Sequence, residues 1–320
     1  MLVFILRRVY QTILVIIGTV LLIFVLMYII PGDPARMMAP KGATEQTLEN
    51  IRTKYHLNEP FWARFWNYLK GMAKLDLGMS FKRDRAVMDI IKEGYPWSLK
   101  LAVVAEVMII IFGIIAGIIS AVKRYSFRDV LITITSSVLV AFPIYWLARI
   151  MQLVFAQKLH WLPPSGVPPA GASFWTAASY YVMPATALAA ISTAYVARMT
   201  RSSMLEVMRQ DYIRTAESKG LTRRKVIYKH GLKNGLIPVV TYIGIDFGTL
   251  IGSAVLTEIL FNWPGVGHKM VYAIMERDMP VVLGLIFILV LVFVLINLVV
   301  DISYALLDPR IRLGGKVEVA

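Results

Sequence analysis

Residues 236–260 read LIPVVTYIGIDFGTLIGSAVLTEIL, an apolar run interrupted by two carboxylates, Asp246 and Glu258. At ~1.5 Å of helical rise per residue the run covers the ~30 Å hydrocarbon core of a bilayer. Turned through ~100° per residue, Gly244, Gly248 and Gly252 fall on one narrow stripe, which predicts a small-residue face for close helix packing. Tyr242, Asp246, Thr249, Ser253 and Thr257 fall within about 80° on the opposite side. A polar stripe along a membrane helix faces a pathway or a protein interior, not lipid. Tyr242, Asp246, Thr249 and Ser253 are therefore candidates for lining a translocation pathway.

Five further stretches have the same character: Val9–Ile30, Leu99–Val122, Val130–Phe155, Ser179–Met199 and Val281–Ser303. The whole chain agrees, being 58% hydrophobic and 17% charged over 320 residues, with mean hydropathy +0.64. Soluble domains are about half apolar and about a quarter charged. The expected fold is an all-α membrane protein with six transmembrane helices. The first span follows Arg7 and Arg8 as a secretory signal would. Its apolar run is too long for one, and Pro31-Gly32-Asp33-Pro34 follows in place of a small-residue cleavage site, so it is expected to remain in the mature protein.

Lysine and arginine in short loops set the orientation. One side carries Arg7, Arg8, Lys123, Arg124, Arg128, a dense series from Arg198 to Lys233, and Arg310, Arg312 and Lys316. The opposite short loops hold only Lys158, Lys269 and Arg277. Both termini are thus expected in the cytoplasm, and the formal net charge of +14 reads as a topology signal with no nucleic-acid partner. Between the first two spans, Asn58 is placed to cap a helix beginning near Pro60. On that helix Phe61, Phe65 and Leu69 share a face with Trp62 and Trp66 near headgroup level. The polar segment 200–235 has a helical pattern broken at Gly220-Leu221-Thr222. Gly220 supplies the left-handed residue that ends one helix, and Thr222 caps the next. A connector needs only a few residues, so a helix–turn–helix elbow of this length reads as a docking surface for another protein.

Ionisable groups within spans are costly and default to functional candidates. Glu106 and Arg149 sit at matching depth, ~10 Å from the outer face, with opposite sign, which allows an ion pair between spans two and three. Other chemistry is missing. There are no cysteines, and hence no disulfide, iron–sulfur cluster or thiolate zinc site. No phosphate-binding loop, zinc-protease motif or nucleophile elbow occurs. His56, His160, His230 and His268 are far apart in sequence, and no metal site is expected. Energy must come from a partner or an ion gradient.

Several short stretches, in order, resemble one family. Asp211-Tyr212-Ile213-Arg214-Thr215-Ala216-Glu217-Ser218-Lys219-Gly220-Leu221, followed by His230 and Pro238, is similar to the coupling segment of ABC-transporter permeases in the dipeptide/oligopeptide/nickel import group. The likeness extends to Pro31-Gly32-Asp33-Pro34, Leu75-Asp76-Leu77-Gly78-Met79-Ser80, Leu162-Pro163-Pro164-Ser165-Gly166, Thr257–Gly267 and Leu307-Asp308-Pro309-Arg310. Where the general motif has Glu-Ala-Ala, this chain has Arg214, Thr215 and Ala216, as in the peptide-importer version.

The resemblance implies a type I ABC importer permease fold in the inner membrane. It implies residues 1–94 as first helix plus extracellular segment, 95–305 as permease core and 306–320 as cytoplasmic tail. It also implies a multi-chain machine: a homologous second permease, two cytoplasmic ATPases holding ATP and magnesium, and an extracellular or periplasmic substrate-binding protein. Arg214, Thr215, Ala216, Glu217, Lys219, Gly220 and Leu221 would contact the ATPase. The cargo would be di- or oligopeptides, with nickel chelates, glutathione or oligosaccharides as alternatives. A reading of another class, an ion-coupled carrier or channel working without ATPases, would show matched halves with broken helices, and no such symmetry is visible.

Overall fold

A computed structural model describes the backbone of residues 2–29, 33, 35–36, 39, 42–55 and 57–307, with side chains for 9–25, 33, 35–36, 39, 42–55 and 57–300. His56, most of Pro31-Gly32-Asp33-Pro34, the side chains of Arg7, Arg8 and Asp301, and the tail from Asp308 onward lie outside the described residues. The elements are α1 Leu2–Ile29, α2 Glu45–Lys54, α3 Phe61–Ala73, α4 Val87–Val122, α5 Phe127–Ala141, α6 Ile144–Lys158, α7 Phe174–Val207 and α8 Asp211–Ser218. There follow α9, built of Arg223–Lys225, Val226–Gly231 and Leu232–Gly235, then α10 Ile237–Leu260, α11 Val266–Met275 and α12 Met279–Leu307. No strand occurs among the described residues. Backbone groups in hydrocarbon find partners only within a helix or a closed barrel.

Among the described residues four helices, α4, α7, α10 and the Met279–Val300 part of α12, are long and apolar enough to cross a membrane; the described apolar part of α1 is Val9–Val25. The expected third span is not one straight helix. It is the pair α5 and α6, bent by 108° at Phe142-Pro143. The proline ring crowds the preceding residue out of the helical region, and Phe142 is extended at φ −83°, ψ 127°. Spans two and four also run beyond their expected ends, with Pro96 and Pro184 inside the helices. Three π-helical stretches, Ile109–Gly113, Gln152–Lys158 and Val226–Gly231, interrupt α4, α6 and α9.

The chain divides into two compact units. The first comprises the described residues of 1–96 and 265–295. Its core joins Phe24 of α1 to Phe65 and Met72 of α3, Ile90 of α4, Val266 of α11 and Leu285 of α12. Phe61 and Phe65 meet the edge of the Phe24 ring at 5.9 and 5.7 Å. Trp62 and Trp66 are exposed, so α3 separates the two aromatic sets that the sequence reading placed together. Asn58 does not cap α3. Its Nδ2 donates to Glu49 Oε1 at 2.7 Å, and Pro60 takes the cap position. Asp278 accepts from the Ser80 hydroxyl and from Phe81 N, which ties the 75–81 loop to the start of α12.

The second unit comprises the described residues of 97–264 and 296–307 and is organised around α7. Nine of the thirteen buried residues of α7 are Ala, Ser, Thr or Pro: Pro184, Ala185, Ala187, Ala189, Ala190, Ser192, Ala194, Ala197 and Thr200. These small side chains let α4, α6 and α10 approach closely, and Leu101, Ala105, Leu188, Val196, Leu250 and Ala254 close into one core. At the contact with α4, a Cβ on Gly117 would stand 2.7 Å from the Ala197 carbonyl oxygen and against the Thr200 side chain. A turn further on, Arg201 grips Asp129, the third residue of α5, with Nε and Nη2 at 2.7 and 2.9 Å. Ser120 of α4 and Tyr125 N donate to the same carboxylate. This clamp joins α4, α5 and α7 at one end of the bundle.

Three predictions follow from this packing. Gly117→Val should destabilise the protein by about 1–3 kcal/mol, read as a lower thermal midpoint in detergent, and Thr200→Ala should restore part of the loss. Arg201→Ala leaves a buried carboxylate without its counter-charge and should cost on the order of 3 kcal/mol. The double variant Arg201→Met/Asp129→Leu should cost less than Arg201→Ala alone in the same assay. In the first unit, burial raises the Asp33 carboxyl, but hydrogen bonds from Arg52 and Ala35 N and the Arg52 charge outweigh it and hold the group below its ordinary value. A depressed carboxyl contributes stability above its unfolded pKa of about 3.9 and loses it as pH falls through the lower folded value. Protease resistance of the 33–52 segment should therefore decline below about pH 4, and Asp33→Asn should lower it at neutral pH and flatten that dependence.

Candidate functional site

Two groups of residues concentrate polar chemistry. The elbow is built first by local rules. α8 ends at Ser218 with Lys219 as its cap, and Gly220 follows at φ +73°, the left-handed region. Gly220 N donates to Glu217 O at 2.9 Å and Leu221 N to Ala216 O at 3.4 Å, the paired bonds of a Schellman cap. Leu221 packs back on Ile213, Ala216 and Val226, giving the elbow a small core of its own. Thr222 occupies the cap position of α9 with extended backbone, but its hydroxyl makes no cap bond. Arg214, Thr215, Glu217, Lys219 and Gly220 are exposed at this turn, whereas Ala216 is buried and Leu221 half-buried. The first five form the outward surface; the other two hold its shape.

The elbow is also seated on the membrane helices. Met204 of α7 packs with Ala121 of α4 and Ile227 of α9. A Cβ on Gly235 would stand 2.6 Å from Met204 Sδ. A displacement of the elbow therefore acts on α7 directly, and the Asp129–Arg201 clamp is one turn of helix from that contact.

The second group lies within the bundle. Asp246 of α10 is buried, and its Oδ1 accepts from the Ser192 hydroxyl of α7 at 3.0 Å, with Tyr242 beside it. Glu106 of α4 is buried too, and neither of its carboxylate oxygens has a hydrogen-bond partner among the described residues. Asp246 is the charged side chain that bears on it. The expected Glu106–Arg149 ion pair is not formed. The break at Pro143 takes Arg149 off the line of α5, and Arg149 Nη1 donates to Gln152 Oε1 at 3.0 Å. The two acids are brought together and the base is left apart.

The glycine stripe is also corrected. Gly248 is buried, but Gly252 is exposed with open space where a Cβ would stand. The packed face of α10 is instead Val239, Asp246, Leu250, Ala254 and Thr257, with the carboxylate in its middle. Thr249 and Ser253 are exposed, and their hydroxyls donate back to Asp246 O and Leu250 O of their own helix. The polar stripe thus splits into a buried acid and two outward hydroxyls.

Some residues escaped the sequence reading. Asp129 lies at the third position after Ser126, whose hydroxyl accepts from its N–H, and that spacing was visible as a cap signal. Gln152 is buried and donates to Pro164 O and Leu260 O at 2.9 and 3.0 Å; nothing local marks it. Within the 257–267 motif, Glu258 accepts from Ser98 Oγ at 2.5 Å, and Trp263 is fully buried with Nε1 donating to Trp97 O at 3.1 Å.

Comparison with known proteins agrees with this architecture. The family described as binding-protein-dependent transport system inner membrane component matches residues 113–313, and its N-terminal companion matches residues 1–102. The chain is 40% identical over 332 residues to a dipeptide transport system permease protein of Alkalihalophilus pseudofirmus, covering 98% of this chain and all of the relative. It is 39% identical over 291 residues to a glutathione transport system permease protein of Escherichia coli, covering 91% and 92% of the two chains. Among solved structures, an inward-facing methionine ABC transporter matches with a TM-score of 0.56 at 18% identity, over 69% of this chain and 97% of the other, which speaks to the fold. A bundle organised on one small-residue helix, an elbow seated against that helix, and matches along nearly the whole sequence lead to one assignment: the chain belongs to the binding-protein-dependent ABC importer permeases, as a membrane-embedded transport component.

Proposed function

We propose that the chain is one of two permease subunits of an ATP-driven importer in the cytoplasmic membrane, with both termini inside, and that its cargo is a dipeptide or short oligopeptide. The dipeptide permease relative supports the cargo, since the likeness extends over its full length. The glutathione permease relative, at nearly the same identity, favours a small tripeptide as a second cargo of the same chemistry. A substrate-binding protein delivers the cargo, and two ATPases dock on the elbow.

The single observation that carries the mechanism is the glycine-closed turn at Gly220, with Arg214, Thr215, Glu217 and Lys219 outward and a private core beneath. Such a turn transmits a push as a rigid piece. ATP-driven closure of the ATPases moves the two elbows together, Met204 passes the displacement to α7, and the helices packed on α7 exchange inward-open for outward-open arrangements. Thr249 and Ser253 line the pathway opposite the second permease. Glu106 and Asp246 supply the acidic character of the bundle that a cargo with a free amino group meets as the helices separate.

Gly220→Pro removes the donor to Glu217 O and fixes φ near −65°, against the +73° that the turn requires. In the complex reconstituted with its ATPases and binding protein, this variant should insert normally but lose ATPase stimulation by cargo-loaded binding protein. Gly220→Ala meets no atom within 4 Å and pays only for the left-handed backbone, about 1–2 kcal/mol, so its loss should be intermediate. Undiminished stimulation in the proline variant would remove the elbow from the mechanism.

A further inference from the structure

The two arms of the elbow differ in chemistry. α8 carries mixed charge: Asp211, Arg214 and Glu217 are exposed, and Arg214 pairs with Asp211 at 3.6 Å. α9 carries one sign only. Arg223, Arg224, Lys225, Lys229 and Lys233 are all exposed, and none has a hydrogen-bond or ion-pair partner among the described residues. No acidic residue occurs between Glu217 and Asp246. Val226, Ile227 and Gly231 are buried, which fixes the opposite face outward. On that face Arg224, Lys225, Tyr228 and Lys229 line a concavity of about 340 Å³, and the Tyr228 ring is 55% exposed.

The position of α9 along the chain supplies the occupant. The apolar side chains Ile237 and Val240, exposed at the start of α10, mark where hydrocarbon begins. Lys233 and Lys229 precede Ile237 by one and two turns, roughly 6 and 12 Å of helical rise. That distance matches a headgroup layer of roughly 5–8 Å plus a screening length of about 8 Å. Anionic lipids of the cytoplasmic leaflet attract basic segments at this depth, and a tyrosine ring with an apolar body and polar tip suits the same layer. We propose that α9 is a membrane-surface arm which binds anionic phospholipid headgroups, leaving the mixed-charge arm α8 for the ATPase. This rests on the cytoplasmic placement of the elbow given above. Lipid binding would hold one arm of the elbow at a fixed depth, so that a push on the other becomes rotation of α7 and not mere sinking of the whole segment.

The native chain has no cysteine, so Tyr228→Cys provides a single labelling site. A spin label there, in the complete permease–ATPase complex in nanodiscs, should be shielded from a water-soluble relaxing agent in phosphatidylcholine containing phosphatidylglycerol. It should be several-fold more accessible in phosphatidylcholine alone or at high salt. Arg224→Gln/Lys225→Gln/Lys229→Gln should abolish that lipid dependence while the ATPases still co-purify. Equal accessibility in both lipids overturns the proposal, as does loss of the ATPases from the triple variant in both lipids, which would make α9 a protein interface. Shielding reproduced by inorganic phosphate without anionic lipid would also overturn it. Labelling of Tyr228→Cys by a membrane-impermeant maleimide in intact cells would instead sink the cytoplasmic placement itself.

Discussion

The second unit depends on how little side-chain volume α7 carries. Its buried face is mostly alanine, serine and threonine, so α4, α6 and α10 pack close to its backbone. In a bilayer there is no hydrophobic drive between helices, since lipid tails are as apolar as leucine. Close backbone approach and the few buried hydrogen bonds must supply the association. Gly117 against Ala197 and Thr200 is such an approach, and Ser192 to Asp246 such a bond. The result is a helix packed against its neighbours from Met183 to Met204, where it meets the elbow. A hub of this kind is stiff, and stiffness is what a transmission element needs.

The clamp at the end of that helix belongs to the same logic. Asp129 accepts from Arg201, Ser120 and Tyr125 N, and these come from different elements around one carboxylate. A buried pair of this geometry adds little net stability over an apolar substitute. Its value is directional, because the planar guanidinium fixes both distance and orientation between α5 and α7. Deeper in the bundle the acids Glu106 and Asp246 have no basic partner of this sort among the described residues, and the contrast separates a group held for architecture from groups left available.

Much of this was legible in the sequence and some was not. Apolar runs of twenty or more residues declare membrane helices, and the Gly220-Leu221-Thr222 break gave the elbow, because a helix stop rests on backbone conformations that few residues tolerate. The bend between α5 and α6 had its signal too, in Phe142-Pro143, but the unbroken hydropathy across it outweighed the proline. Depth counting then misled. Glu106 and Arg149 were paired by distance from a common surface, which holds only for straight helices. The glycine stripe on α10 does not pack as one face, Gly248 being buried and Gly252 exposed, because which face meets a neighbour depends on α7, far away in sequence. Gln152 shows the limit plainly: its two acceptors are backbone carbonyls of Pro164 and Leu260, and no local pattern announces them.

The π-helical stretch Ile109–Gly113 has one further consequence. A π turn accommodates an additional residue within an α-helix without unwinding it. At the end of the stretch and beyond it, Gly113 and Gly117 face α7; upstream, Leu101 and Ala105 belong to the core that includes Leu188 and Val196 of α7. Those two sets share a face only because the wider turn absorbs the phase mismatch between them. Winding the same residues as regular α-helix, with none removed, would swing its lower half by about a quarter-turn, pointing the glycines elsewhere and presenting bulkier isoleucines to α7. The extra residue works as a phase corrector, and the helix is best regarded as two segments of independent register joined by a built-in offset.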